Sequence, residues 1–302
     1  MHEGEVETSP ALVRRLLTAQ FPQWRELPIT PVTSAGTDNA IYRLGAEMAV
    51  RLPRVDWATA QVEKEHEWLP RLAPALPLAI PTPLAKGEPG ESYPWAWSVY
   101  RWLEGENATL ERIADPQQVA ADLAQFIATL QRIDATGGPQ PDAYGLSRGN
   151  PLAMRDSFTR EAIASLQGVL NEKAVSAVWD AALAAPVWQH APVWIHGDLQ
   201  SGNLLATHGR LSAVIDFGCL AVGDPAYDVM TAWLYLPTEA RAIFRAALQV
   251  DDATWARARG LALSVALIAL PYYQTSNPIL AEIARRTIAA TVLDHSQSSA
   301  FH

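Results

Sequence analysis

The hydrophobic pattern of the chain changes period near residue 104, and that break restricts it to folds that join a small sheet to a larger helical body. Short β-type runs at residues 29–32, 41–44 and 48–52 are separated by the polar segment 34–39 and by Gly45. Two further strands are expected near residues 83–86 and 95–103. Ser9-Pro10 reads as a helix start, with Leu12, Val13, Leu16 and Leu17 on one face. Asp56 opens a second helix to about Leu72. Beyond Gly105 the chain turns helical: Asp115-Pro116 caps a helix with Val119, Leu123, Phe126, Ile127, Leu130 and Ile133 inward. Helices continue to about Ala185 and resume from Pro225 to near His295, with residues 296–302 expected to fray. Strand character returns only at 193–195 and in a hairpin over 204–215 that turns at His208-Gly209. The expectation is an α+β fold of two lobes, residues 1–103 and 104–302, with a cleft at their joint.

At 302 residues and 49% hydrophobic content the chain can bury a sizeable core. Acidic residues outnumber basic ones, 32 to 23, and the net charge of -9 argues against a nucleic-acid partner and fits either a surface that attracts cationic ligands or one whose charge only aids solubility. One cysteine, Cys219, excludes an internal disulfide and a thiolate zinc cage and suits the cytoplasm. The acidic start, Met-His-Glu-Gly-Glu, lacks the segments of a signal peptide, so no export is expected. The apolar stretch 261–273 is shorter than the ~20 residues of a membrane span and reads as a buried helix. The chain is expected to act off the membrane, as a monomer or weak homodimer.

The chemistry concentrates in His196-Gly197-Asp198-Leu199-Gln200-Ser201-Gly202-Asn203 and in Ile215-Asp216-Phe217-Gly218. Asp198 follows an apolar strand inside a glycine-bearing turn, where its carboxylate can accept or orient a hydroxyl proton. Asn203 and Asp216 offer hard oxygen ligands of the kind that magnesium takes in small number. This set is what phosphoryl transfer from a magnesium nucleotide requires. Gly218 frees the backbone where Asp216 must be aimed. His196 reads as a turn-steadying hydrogen-bonding residue.

In the first lobe, Ser34, Gly36 and Thr37 lie in a polar turn whose backbone amides and hydroxyls can meet phosphate oxygens. Arg51, on an inner strand, is the candidate cation for the nucleotide phosphates, because Lys64, Lys86 and Lys173 lie on no comparable strand. It needs an anionic partner: Glu65 is in register with Leu69 and Leu72, and Glu63 and Glu67 compete with it. Residues 98–105, with Tyr100 and Trp102, fall at the expected lobe junction, where backbone groups can read the edge of a base. Ala49, Leu205 and Ile215 are candidates to pack its faces.

As a set these residues resemble the aminoglycoside phosphotransferase family, the small-molecule branch of the protein-kinase-like fold. The resemblance covers Ala49 to Leu52, the Glu65 helix, Trp102 to Gly105, both central motifs, and Gly223-Asp224-Pro225-Ala226-Tyr227-Asp228. It implies Asp198 as catalytic base, Asn203 and Asp216 as magnesium ligands, ATP or GTP on the hinge backbone, and Asp224 and Asp228 as braces behind the loop. Gly197 stands where protein kinases carry an arginine that senses a phosphorylated loop, and the chain between Gly218 and Pro225 is too short for such a loop. The implied acceptor is a small-molecule hydroxyl, foremost a cationic aminoglycoside. Asp156, Glu161, Glu239 and Asp294 are possible contributors of negative charge. Macrolides, for which the eleven tryptophans would suit an apolar pocket, and metabolites such as choline, homoserine or a sugar amine are the alternatives. A binding protein that kept the fold and lost the reaction is a reading from another class.

Overall fold

The structure, a computed structural model, describes residues 5–33, 38–141 and 146–299. The chain divides into two compact units, one of residues 1–112 with 202–218 and one of residues 113–201 with 219–302.

The first unit is built on a five-stranded antiparallel sheet of order β1-β2-β3-β5-β4, formed by β1 (Ile29–Val32), β2 (Asn39–Leu44), β3 (Met48–Pro53), β4 (Pro83–Gly87) and β5 (Trp97–Arg101). Alternation along β3 buries Val50 and Leu52 on one face, where they pack with Leu12, Val13, Leu16 and Leu17 of helix α1 (Pro10–Gln20). Helix α1 begins as its residues require: the Ser9 hydroxyl accepts from the Leu12 amide at 3.2 Å and proline fills the first helical position. The period of two therefore directs Ala49 and Arg51 away from that core. Helix α2 (Thr59–Leu72) follows a single 3₁₀ turn, Asp56–Ala58, and buries Val62, Glu65, Trp68, Leu69 and Leu72.

The first unit extends past residue 103 to Arg112 and takes in the hairpin expected in the second lobe. The reason is backbone pairing. Strand β6 (Glu106–Asn107) pairs with β8 (Leu204–Thr207), which turns through His208 and Gly209, both in the left-handed region, into β9 (Arg210–Val214). Ala79 also bonds to this hairpin, donating to the Ser212 carbonyl and accepting from the Val214 amide.

The second unit is mainly helical. Asp115 caps α3 (Pro116–Arg132) by accepting from the amides of Gln117 and Gln118. Helices α4 (Asp156–Ser165) and α5 (Glu172–Ala184) follow. A two-stranded antiparallel ribbon joins β7 (Val193–Ile195) to β10 (Ala221–Gly223), the latter too short for its alternation to show in sequence. Short helices α6 (Ala226–Val229) and α7 (Thr231–Leu234) lead to α8 (Thr238–Leu248), α9 (Asp252–Tyr273) and α10 (Pro278–Ser299). The apolar stretch 261–273 is the second half of α9. By length and composition alone this helix could cross a bilayer, but it packs against α5, α6 and α10, and Leu261, Leu263, Leu267 and Leu270 are buried. The polar residues 296–299 continue α10 and are not a frayed tail.

Candidate active site

The expected site residues fall on both units. Asn203, Asp216, Arg51 and Glu65 belong to the first, and Asp198 to the second.

In the first unit, Arg51 gathers three side chains. Its Nη1 donates to Glu65 Oε1 at 2.6 Å, and its Nη2 donates to Gln61 Oε1 and to Asp216 Oδ1, each at 2.9 Å. Of the three glutamates on α2 that could meet Arg51, the helix therefore turns Glu65 toward it. Glu65 is only 1% exposed, and its other oxygen accepts from Tyr100 Oη at 2.5 Å. Burial opposes the Arg51 charge, but Glu65 and Asp216 outweigh it and hold the guanidinium above its ordinary range. Burial, reinforced by Glu65, likewise pushes the Tyr100 phenol up, so it remains the donor.

Asp216 sits at φ 61°, in the left-handed region that non-glycine residues seldom occupy. That backbone turn aims its carboxylate, whose side chain stays 47% exposed while one oxygen is engaged by Arg51. The segment is fastened to α2 at a second point, because Lys64 Nζ donates to the Gly218 carbonyl at 2.6 Å. Gly218 approaches Gln61 so closely that a Cβ there would lie 2.9 Å from the amide carbon. Asn203, 9% exposed, closes the hairpin: its carbonyl accepts from the Ile215 amide at 2.9 Å. One neutral and one anionic side-chain oxygen are thus carried at the open end of the same hairpin, a donor set that fits a hard cation such as magnesium.

The remaining nucleotide candidates divide. Ser34, Gly36 and Thr37 lie outside the described residues. Ala49 is paired with Tyr100 across β3 and β5, Leu205 is buried in β8, and Ile215 is half-buried. Tyr100 presents its side chain, and not only its backbone, to the Arg51 cluster. The Trp102 amide donates to the Glu47 carbonyl at 2.7 Å. The Trp102 ring is capped by Arg43, 4.4 Å from its centroid.

In the second unit, Asp198 stands in a turn held from behind. Asp228 is fully buried and accepts from the amides of His196, at 2.9 Å, and Gly197, at 2.7 Å. Burial pushes the Asp228 carboxyl up, while His196 and these two amides pull the other way. Gly197 adopts φ 81°, and a Cβ there would lie 3.0 Å from the Arg148 stem and the Cys219 carbonyl. Glycine answers both demands. His196 accepts from the Asp198 amide through Nδ1, at 3.2 Å, consistent with its steadying role. The Asp198 carboxylate, with its side chain 26% exposed, meets Gln200 through Oδ2 and Arg148 through Oδ1. Asp224 caps α6 at the Ala226 amide and is held by Arg257 of α9 through two hydrogen bonds, at 2.7 and 3.1 Å.

Gln61, Gln200 and Arg148 were not singled out in the sequence. Of the acidic candidates for an acceptor, Asp156 accepts from Trp179 and pairs with Arg160, and Asp294 pairs with the buried Arg259, so both have structural partners. Glu161 and Glu239 are exposed. Trp97, Trp179, Trp194 and Trp233 are fully buried core residues, which removes them from any open apolar pocket.

The sequence pattern of the phosphotransferase enzyme family matches residues 29–261, more than three quarters of the chain. No match to a curated protein sequence reaches significance. Among solved structures, the chain is similar to the GDP complex of aminoglycoside 2'-phosphotransferase-IIIa, with a TM-score of 0.76 at 17% identity over 95% of this chain and 100% of that one. It is also similar to a streptomycin–ATP ternary complex of APH(2")-IIa, with a TM-score of 0.61 at 18% identity over 92% and 99% of the two chains. The macrolide 2'-phosphotransferase from Brachybacterium faecium gives a TM-score of 0.59 at 22% identity over 93% and 98%. The α+β, kinase-like fold is thereby shared.

Proposed function

The chain belongs to the phosphotransferase enzyme family, and from that premise we propose that it moves the γ-phosphoryl group of ATP or GTP to a hydroxyl of an aminoglycoside-type small molecule. The observation that carries the reading is the Asp198 turn: two consecutive amides bound by the buried carboxylate of Asp228 leave the Asp198 carboxylate partly exposed on a fixed loop. A base that must orient a hydroxyl gains more from fixed direction than from raw basicity.

In the proposed reaction Asp198 orients and accepts the proton of the attacking hydroxyl. Arg51, already charged and held by Glu65, offsets negative charge on the nucleotide phosphates. Asn203 and Asp216 would hold a magnesium ion, which when bound spreads the charge of the phosphate oxygens. Tyr100 and Gln61 keep the Arg51 cluster in place. A multiply charged amine as acceptor is supported by the acidic surplus of the chain and by similar structures that carry kanamycin and gentamicin.

The test is a transfer screen with Mg-ATP and Mg-GTP in parallel against kanamycin, gentamicin, erythromycin, choline and homoserine. Phosphorylation of the aminoglycosides is expected. Transfer confined to erythromycin or to the amino alcohols would replace the acceptor and keep the reaction. Asp198→Ala is expected to lower turnover by about 10³-fold with nucleotide binding retained; wild-type turnover in that variant would remove the base. Tight nucleotide binding without turnover on any acceptor or water would favour a binding module.

A further inference from the structure

We propose that Arg148 is a positioning residue for Asp198: its guanidinium faces one carboxylate oxygen while Gln200 holds the other, so the base meets its hydroxyl in one orientation. The proposal rests on Asp198 being the base. Gln200 Nε2 donates to Asp198 Oδ2 at 3.1 Å, and Arg148 Nη2 stands 3.8 Å from Oδ1. The first contact is a hydrogen bond and sets a direction. The second is too long for one, and acts as a charge that attracts the carboxylate without occupying the oxygen.

The loop that carries Arg148 is built to keep it there. Arg155 donates to the Leu146 carbonyl at 3.0 Å, and Tyr227 Oη donates to the Asn150 carbonyl at 2.9 Å, so the loop is fastened on both sides of Arg148. Next to it, Gly149 lies so close to Gly223 that a Cβ on Gly223 would fall 2.5 Å from the Gly149 Cα. The Arg148 stem itself packs against the Gly197 backbone. Among the described residues Arg148 Nε is buried and has no hydrogen-bond partner. A cation placed only to stabilise the loop would spend that donor, and a buried donor left unspent costs stability. Burial also opposes the charge, and Cys219 with Asp198 outweighs it, holding the guanidinium above its ordinary range. The side chain is thus a partly buried, charged group with one buried donor unspent, aimed at the base.

The experiment compares Arg148→Met, Arg148→Gln and Arg148→Lys, each alone and with Asp198→Ala, using Mg-GTP and Mg-ATP with kanamycin as acceptor, or water where kanamycin is not taken. Arg148→Met and Arg148→Gln are each expected to lower kcat by about 10- to 100-fold while the nucleotide KM moves less than about threefold. Arg148→Lys is expected to recover most of the loss, since it keeps the charge. In the Asp198→Ala background, Arg148→Met should add nothing, because a group that acts through the base has no effect once the base is gone. Unchanged kcat in both neutral variants, losses as large in Arg148→Lys as in Arg148→Met, or losses that add to that of Asp198→Ala would each overturn the proposal. So would the failure of both neutral variants to fold, which would make the arginine structural. Turnover that survives Asp198→Ala sinks the base instead, and the two failures are separable.

Discussion

The Arg51 cluster of the first unit and the Asp198 turn of the second are both arrangements of charge, but they are held by different means. Arg51, Gln61, Glu65 and Asp216 meet side chain to side chain, from a strand, a helix and the end of a hairpin. The Asp198 turn is held through its backbone, by amides of adjacent residues that donate to Asp228. Side-chain forks can exchange partners when an anion arrives, and the Arg51 fork has a ready site of exchange in Asp216, the most exposed of its partners. Backbone bonds to a fully buried carboxylate cannot exchange without opening the core. On the proposed reaction, the contrast would separate two tasks of phosphoryl transfer: accommodating a charged nucleotide, and keeping a base in one place.

The largest effect is therefore expected where the backbone anchor is removed. Asp228→Ala leaves the His196 and Gly197 amides without acceptors in a site with no exposure, at a cost of about 3 kcal/mol in unfolding free energy. Denaturant melts check that figure. In the fraction that remains folded, kcat should fall more than about 100-fold, since a loosened turn no longer fixes Asp198. If kcat holds while the nucleotide KM rises, the division of tasks between the two regions is wrong.

The Arg51 cluster should respond in the opposite sense. Glu65→Gln keeps the size and an acceptor oxygen but removes the charge that outweighs Arg51 burial, with an expected loss of about 2 kcal/mol. The nucleotide KM is expected to rise about tenfold with a smaller change in kcat, as steady-state titration of ATP and GTP would show. Arg51→Lys sharpens the point with a smaller effect: one ammonium keeps the charge but cannot serve three partners at once, so a rise of about fivefold in the nucleotide KM is expected.

These two regions were unequally legible. Asp198, Asn203 and Asp216 stand out because they lie at short spacings along one stretch of chain. Among the α2 glutamates, register with Leu69 and Leu72 favours Glu65 over its rivals Glu63 and Glu67, and the packing of α2 on the sheet brings Glu65 to Arg51. Gln61 gives no signal at all: a neutral amide on a helix is an ordinary surface residue, and its bond to Arg51 is a tertiary fact. Lys64 was set aside as a strand cation correctly, but its bond to the Gly218 carbonyl depends on the hairpin packing beside α2. Arg148 lies fifty residues before Asp198 in a loop without periodicity, and nothing local marks it. The extent of the first unit was missed for a similar reason, because β6 is two residues long and its partner strand begins almost a hundred residues later. The helix caps at Ser9 and Asp115, by contrast, depend on three or four neighbouring residues and are as expected.

The smallest expected effect tests whether the Arg51 cluster is as tolerant as its side-chain construction implies. Tyr100→Phe removes the hydroxyl that donates to Glu65 Oε2 and nothing else. Glu65 keeps its bond to Arg51, so a loss of about 1 kcal/mol is expected, measured by denaturant melts, with the nucleotide KM changed less than about threefold. A loss as large as that of Asp228→Ala would mean that the short Tyr100 bond anchors the cluster in the way Asp228 anchors the turn. The two regions would then be built on one principle, a buried carboxylate that cannot spare a donor, and the adaptability assigned to the phosphate end would rest on Asp216 alone.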